Sequence, residues 1–204
     1  MHTKGIEVVP REGEAISLIR LVAPTQPVSQ RITPEPPETP LALLDLDTLF
    51  RRYSSYVAAV AHRLLGRDEE VDDTIQEVFL VAVRSLKSVR DPGAIRGWLA
   101  RITVRTARQR LRKRRMRALL GLEAPIAYEN VSDTGANGED RALLARVYRV
   151  LDALPANQRV AWSLRHIEGE PLENVATLSG CSLATAKRRI AAAARVIEET
   201  FADA

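Results

Sequence analysis

Between Arg96 and Arg117 the chain carries ten arginines and lysines and no acid. Arg101, Arg105, Arg108, Arg112 and Arg115 follow one another at steps of four, three, four and three, which stacks them on one face of a helix. Arg110, Arg114 and Arg117 form a second row beside the first. Like charges at this spacing repel by about 0.2–0.5 kcal/mol per adjacent pair. A row of five is best tolerated when phosphates neutralise it, and release of their counterions then supplies affinity. The alternative is a solvated helix end whose arginine stems lie over apolar surface. Solvated faces ordinarily interleave acids with bases, and this one does not, so the segment is expected to seek a polyanion.

Two further segments have types and spacings that suggest chemistry. Near the C-terminus, Ala176, Gly180, Ala186 and Ile190 supply the small residues, turn glycine and docking apolar side chain of a helix-turn-helix. Ser182 is placed to cap the second helix, with Thr185, Lys187, Arg188 and Arg189 near its start, the end that enters a major groove. Such side chains contact phosphates and base edges, although tight helical turns with no DNA role share the pattern. The other segment is a stripe of Asp73, Gln76, Glu77, Leu80 and Arg84 at three-to-four spacing, opposite an apolar face. Spacing alone fits a solvated face better than a docking surface.

Helices must hold all three segments. One is expected over about Asp45–Leu65, with Leu46, Leu49, Phe50, Tyr53, Val57, Val60 and Leu64 on its apolar side and Gly66 ending it. A second is expected from Asp68 with Val71, Ile75, Val78, Phe79, Ala82, Val83 and Leu86 on one stripe. Asp91-Pro92 caps a third that runs to about Arg115, anchored by Ile95, Trp98, Leu99 and Ile102. Residues 118–140 hold five acids, no base and several turn formers, and read as a flexible acidic linker. Helices then follow over about Asp140–Leu154, Ala156–Glu168, Leu172–Ser179 and Leu183–Phe201. Six prolines within residues 24–40 mark an extended or disordered lead-in. The expected fold is all-α, two small helical domains joined by the linker.

The remaining composition mostly excludes. Apolar residues are 46% of the chain, enough for cores, and aromatics 4%. A single cysteine, Cys181, rules out an internal disulfide framework and suits a reducing cytoplasm; it reads as a small buried hydrophobe at the turn. No apolar run is long enough to span a membrane, and the start lacks the pattern of a secretory signal. His2, His62 and His166 have no metal-ligand spacing, and no phosphate loop or nucleophile motif occurs. Trp98 and Trp162 fall on apolar faces. Neither a catalytic site, a metal site nor a cofactor is expected.

In order and separation these features resemble the extracytoplasmic-function (ECF) sigma factors of bacterial RNA polymerase. Asp73-Thr-Ile-Gln76-Glu77-Val-Phe79 resembles the family's Asp-x-x-Gln-Glu-x-Phe segment of region 2. Trp98-Leu99-Ala-Arg101-Ile102, with the basic helix after it, resembles the segment that opens and holds the −10 element. Leu154-Pro155-Ala-Asn-Gln-Arg159-Val160 resembles the start of region 4. Glu173 through Ile190 resembles its −35-reading helix-turn-helix. The sequence departs from the family pattern at Arg105, Gln109, Ala186 and Arg188, where an asparagine, an acid, a valine and a serine are frequent.

The resemblance implies a cytoplasmic, non-enzymatic transcription initiation subunit, nucleoid-associated when bound to polymerase and not inserted in a membrane. Its implied partners are core RNA polymerase (β′ clamp and β flap), promoter DNA and a candidate anti-sigma factor. Asp73, Gln76, Glu77 and Leu80 would dock on the clamp, which turns the polar stripe from a solvated face into a partner surface. Trp98, Arg101, Arg105, Arg108, Arg112 and Arg115 would hold the −10 region, with the loop around Lys87–Arg96 capturing a flipped base. Ser182, Thr185, Lys187, Arg188 and Arg189 would read the −35 region. The implied division is an extension over 1–44, region 2 over 45–117, a linker over 118–139 and region 4 over 140–204. The rival reading is a free-standing helix-turn-helix repressor or activator, for which no dimer seam is evident.

Overall fold

A computed structural model describes residues 46–66, 69–86, 89, 91–122 and 138–202. The proline-rich extension, most of the linker, and Lys87, Ser88 and Arg90 of the expected base-capture loop lie outside the described residues. Helix α1 spans Leu46–Leu65, α2 Val71–Ser85 and α3 Ile95–Leu119; α4 spans Gly138–Ala153, α5 Ala156–His166, α6 Leu172–Ser179 and α7 Leu183–Ala202. No strand occurs among the described residues.

Each boundary has a local cause. Gly66 ends α1 at φ +69°, a left-handed conformation that is nearly free for glycine and strained for other residues. A Cβ there would also lie 2.4 Å from Cδ1 of Tyr148. The Asp91 carboxylate accepts from the Gly93 N–H at 2.9 Å, and Pro92 opens a short 3₁₀ turn, Pro92–Ala94, that leads into α3. Pro155 separates α4 from α5, and Gly180 closes α6 at φ +61°. Helix α2 starts at Val71, later than the expected Asp68, with the Thr74 hydroxyl donating to Glu70 O at 2.6 Å.

The expected stripes build the core, with a correction at one edge. Leu49, Tyr53, Val57, Val60 and Leu64 of α1 are buried against Val78, Phe79 and Ala82 of α2 and Ile95, Leu99 and Ala107 of α3. Leu46, Phe50 and Val83, expected in the same stripes, remain more than 40% exposed. The stripes are wider than the surface available to cover them, so their flanks face outward.

The two domains do not sit apart. Ala156, Val160, Ala161 and Leu164 of α5, Val175 and Ala176 of α6, and Ala186 of α7 belong to the same core cluster as α1–α3. A second cluster, around Tyr148, Leu151, Trp162, Ile197 and Phe201, is confined to the C-terminal helices. Trp162 is fully buried there, whereas Trp98 is half-buried at the margin of the shared core.

Polar groups fasten the seam. Arg159, 1% exposed, donates from Nε to Leu64 O at 3.2 Å and from Nη2 to Leu65 O at 2.7 Å, and pairs with Asp152. Arg114, 5% exposed, reaches Leu65 O at 3.4 Å, Asp152 at 2.7 Å and Glu70 at 3.5 Å. The last carbonyls of α1 have no partner within their own helix, and these two guanidiniums supply one. The Tyr148 hydroxyl donates to Arg63 O at 2.7 Å, and Arg63 faces Glu168 at 3.6 Å.

Candidate nucleic-acid interface

Helix α3 presents the arginine row much as the periodicity predicts. Arg101, Arg105 and Arg112 are exposed; Arg108 and Arg115 are half-buried. Their buried counterparts, Leu99, Ile102, Thr103, Thr106, Ala107 and Leu111, fix the helix face against the core. The Thr103 hydroxyl is satisfied by Leu99 O at 2.8 Å.

Not all of the row is free to meet phosphate. Arg108 donates from Nη1 to Ser179 O at 3.0 Å. Its pKa is held down first by burial, then by the charges of Arg112, Arg189 and Arg105. Arg112 approaches Asn157 Oδ1 at 3.5 Å.

The second row is corrected. Arg110 pairs with Glu77 at 3.1 Å and Asp73 at 3.6 Å, and Arg114 is buried in the seam. Only Arg117 of that row is exposed. The acids missing from α3 come from α2 and α4, across packed helices rather than along the chain. Arg110 thereby ties the polar stripe of α2 to α3 and holds two of its carboxylates in place.

The helix-turn-helix forms as expected. Ala176 and Ala186 are buried where α6 and α7 meet, and their small size permits the close approach. Ser182 Oγ accepts from the Thr185 N–H at 3.2 Å and lies 2.9 Å from the Thr185 hydroxyl, which caps α7. Ser182, Lys187 and Arg188 are exposed; Thr185 and Arg189 are half-buried. Lys187 and Arg188 thus lie beside a helix N-terminus, whose unpaired N–H groups favour anions. Cys181 is half-buried at this turn rather than fully enclosed.

On α2, Asp73, Gln76 and Leu80 are exposed and Glu77 is half-buried. Leu80, at 58% exposure, joins Leu46, Phe50 and Phe79 in lining a groove of about 510 Å³, edged by Asp47 and Gln76. The Phe50 and Phe79 rings sit 5.0 Å apart. An apolar groove with a polar, acidic rim is the surface type that partners bury. The stripe is legible in the sequence, whereas Leu46 and Phe50, expected on the core side of α1, line this groove instead. Among the described residues no cluster of metal-binding side chains occurs, and no helix is long and apolar enough to cross a membrane.

Residues 49–117 match the family described as Sigma-70 region 2, and residues 144–195 match Sigma-70, region 4. The ECF RNA polymerase sigma factor SigE of Mycolicibacterium smegmatis is 34% identical over 156 residues, which are 73% of this chain and 58% of that protein. The ECF RNA polymerase sigma-E factor of Escherichia coli is 32% identical over 156 residues, covering 72% of this chain and 81% of that protein. The chain therefore spans little more than half of the first relative and most of the second. Among solved structures, the fold is similar to the Bartonella quintana sigma factor RpoE in complex with the anti-sigma factor NepR. That match has a TM-score of 0.55 at 22% identity over 76% of this chain and 95% of the other. It is also similar to CnrH in complex with the cytosolic domain of CnrY, with a TM-score of 0.50 at 24% identity over 78% and 87%. With both sigma regions present in order, joined to relatives above 30% identity, the chain belongs to the ECF family of RNA polymerase sigma factors.

Proposed function

We propose that this chain is a non-catalytic promoter-recognition subunit. It docks on the β′ clamp of core RNA polymerase through Asp73, Gln76, Glu77 and Leu80 of α2. On α3, Arg101, Arg105, Arg108, Arg112 and Arg115 hold the opened −10 strand by phosphate contacts and Trp98 offers a ring to its bases, as basic single-strand grooves do. Ser182, Thr185, Lys187, Arg188 and Arg189 read the −35 element in the major groove. Residues 45–117 form the docking and melting unit, 118–139 the connection and 140–204 the upstream reader, which meets the β flap. The setting is the cytoplasm, and an anti-sigma factor is a candidate third partner.

The groove on α2 carries this reading over that of a free-standing repressor. The apolar groove is lined by Leu46, Phe50, Phe79 and Leu80 and by none of the basic side chains assigned to DNA, so DNA binding alone gives it no use. The test uses variants of exposed side chains, so the fold is kept. Leu80→Arg is expected to lower core polymerase affinity at least tenfold, by placing a solvated charge in the groove (about 1.4 kcal/mol per factor of ten). Retention on a −35 duplex should be unchanged. Arg188→Ala should show the opposite pattern. Undiminished core binding by Leu80→Arg contradicts the docking assignment.

A further inference from the structure

Near the first turns of α3 lies a cleft of about 180 Å³ whose two walls carry different chemistry. Tyr56 of α1 and Arg96, Gly97 and Arg101 of α3 line one wall; Glu170 and Asn174, at the start of α6, line the other. The Arg96 guanidinium sits over the Tyr56 ring, 4.7 Å from its centroid. Guanidinium and ring planes are faces on which a flat ligand stacks. Arg101 is exposed and adds a second cation to that wall.

Glu170 gives the opposite wall its character. It is 4% exposed, and glutamates are rarely buried so far unless they are paired. Among the described residues its carboxylate takes one hydrogen bond, from Asn174 Nδ2 to Oε2 at 3.0 Å. An ionised carboxylate has about four acceptor positions, so most of its acceptor capacity is unused. Neither Glu170 nor Asn174 has a part in the contacts assigned to polymerase or to DNA.

Gly97 is the second unexplained feature. Glycine weakens a helix relative to alanine, and this one has no positive φ to require it. A Cβ there would meet nothing within 4 Å, so close packing does not require it either. Its effect is to leave the mouth of the cleft open.

The complement of these groups is guanine with a phosphate attached. The N1–H and 2-amino group of guanine are neighbouring donors that one carboxylate accepts together. Its O6, beside them, accepts from an amide N–H, and Asn174 has one left after its bond to Glu170. Adenine places a lone pair at N1, which a carboxylate repels. Two guanidiniums against one carboxylate favour an anionic ligand, and arginine suits phosphate. Pockets for drug-sized ligands start at about 300 Å³, so a cleft of about 180 Å³ suits one base with its phosphates outside.

We propose that this cleft binds a free guanine nucleotide, with Glu170 and Asn174 reading the base edge, Arg96 and Tyr56 supplying the stacking face and Arg101 meeting the phosphate. Isothermal titration calorimetry of the full chain with GDP, ADP and guanosine tests it. GDP is expected to saturate and to bind at least about tenfold tighter than ADP, because a site built to hydrogen-bond one partner rejects the mismatched one. Guanosine, lacking phosphate, should bind more weakly than GDP. Glu170→Gln should lose about tenfold for GDP and little for ADP, a split that general damage to the fold would not produce. Gly97→Leu, which puts a side chain into the mouth, should abolish GDP binding with helical circular dichroism unchanged.

No saturable heat with GDP at millimolar concentration overturns the site. Equal affinity for GDP and ADP, or equal losses in Glu170→Gln, overturns the reading of the base edge. Undiminished GDP binding by Gly97→Leu overturns the placement in this cleft. Should Glu170→Gln lose its helical circular dichroism, Asn174→Ala, at an exposed position, replaces it; a loss for GDP alone then supports the proposal, and no loss overturns it. A guanine in a strand offers the same base and phosphate, so a thymine tract with one central guanine is titrated beside the plain tract. Guanine-dependent binding of the tract without binding of GDP overturns the free-nucleotide assignment. Neither polymerase nor promoter enters these readouts, so their outcome is separate from that of the proposed function.

Discussion

Replacing Arg159 by methionine separates two physical accounts of a buried guanidinium. Methionine keeps the stem's volume and removes the bonds to Leu64 O, Leu65 O and Asp152. Exchanging a buried ion pair for an apolar side chain is often neutral or stabilising, because the cost of desolvating the charge disappears. Here the two carbonyls at the end of α1 decide the sign. A hydrogen bond from a charged donor contributes about 1.5–3 kcal/mol, so two of them are worth roughly 3–6 kcal/mol. Arg114 remains to cover Asp152 and part of Leu65 O, and relief of desolvation offsets more. A net loss of about 3 kcal/mol is expected. At about 2–4 °C per kcal/mol for a chain of this size, Tm should fall by roughly 6–12 °C. Thermal unfolding followed by far-UV circular dichroism, with a urea melt alongside, measures this. An unchanged or raised Tm would refute the claim that Arg159 acts by capping α1.

Gly66→Ala forces a side chain into φ +69° and into the Tyr148 ring; with left-handed strain of about 1–2 kcal/mol before any clash, its urea midpoint should fall clearly below that of Gly97→Ala, where nothing lies within 4 Å. Arg112→Ala should weaken single-stranded DNA binding and reduce the slope of log affinity against log salt by about 0.7; an unaltered slope contradicts a phosphate contact. Lys187→Ala and Arg188→Ala should each reduce the dependence of transcription on the −35 sequence while core polymerase still co-purifies, as a transcription series on matched and scrambled −35 templates will reveal. Burial pushes the Tyr56 hydroxyl up to about 12 from 10.0. The folded state thus holds this proton more tightly than the unfolded chain, so its contribution to stability is complete below pH 10 and is lost as pH rises from there through about 12. Urea melts should show that decline, and Tyr56→Phe should flatten it.

Helix ends were legible because single residues decide them. Gly66, Asp91-Pro92, Pro155, Gly180 and Ser182 each act on their own backbone, and every one ends or caps a helix where expected. The helix-turn-helix and the arginine row were legible for the same reason, being local patterns in the chain. Partners across the fold were not. Arg110 and Arg114 look like free phosphate binders because their acids lie 33 to 44 residues away in sequence. Arg159 could have been flagged: an arginine between Ala156, Val160 and Ser163 on an otherwise apolar face must find acceptors inside. The outward turn of Leu46 and Phe50 follows from which neighbours cover α1, and no periodicity encodes that. The shared core was illegible in the same way, since each stripe could have been satisfied within its own domain.

The central claim is that this chain gives core RNA polymerase a promoter preference. Reconstituted transcription on a pool of genomic fragments, with mapped 5′ ends, tests it most directly. Core polymerase with the chain should yield discrete transcripts whose start sites share two upstream elements at constant spacing, and Leu80→Arg should abolish them. Transcripts identical to those of core polymerase alone would contradict the account.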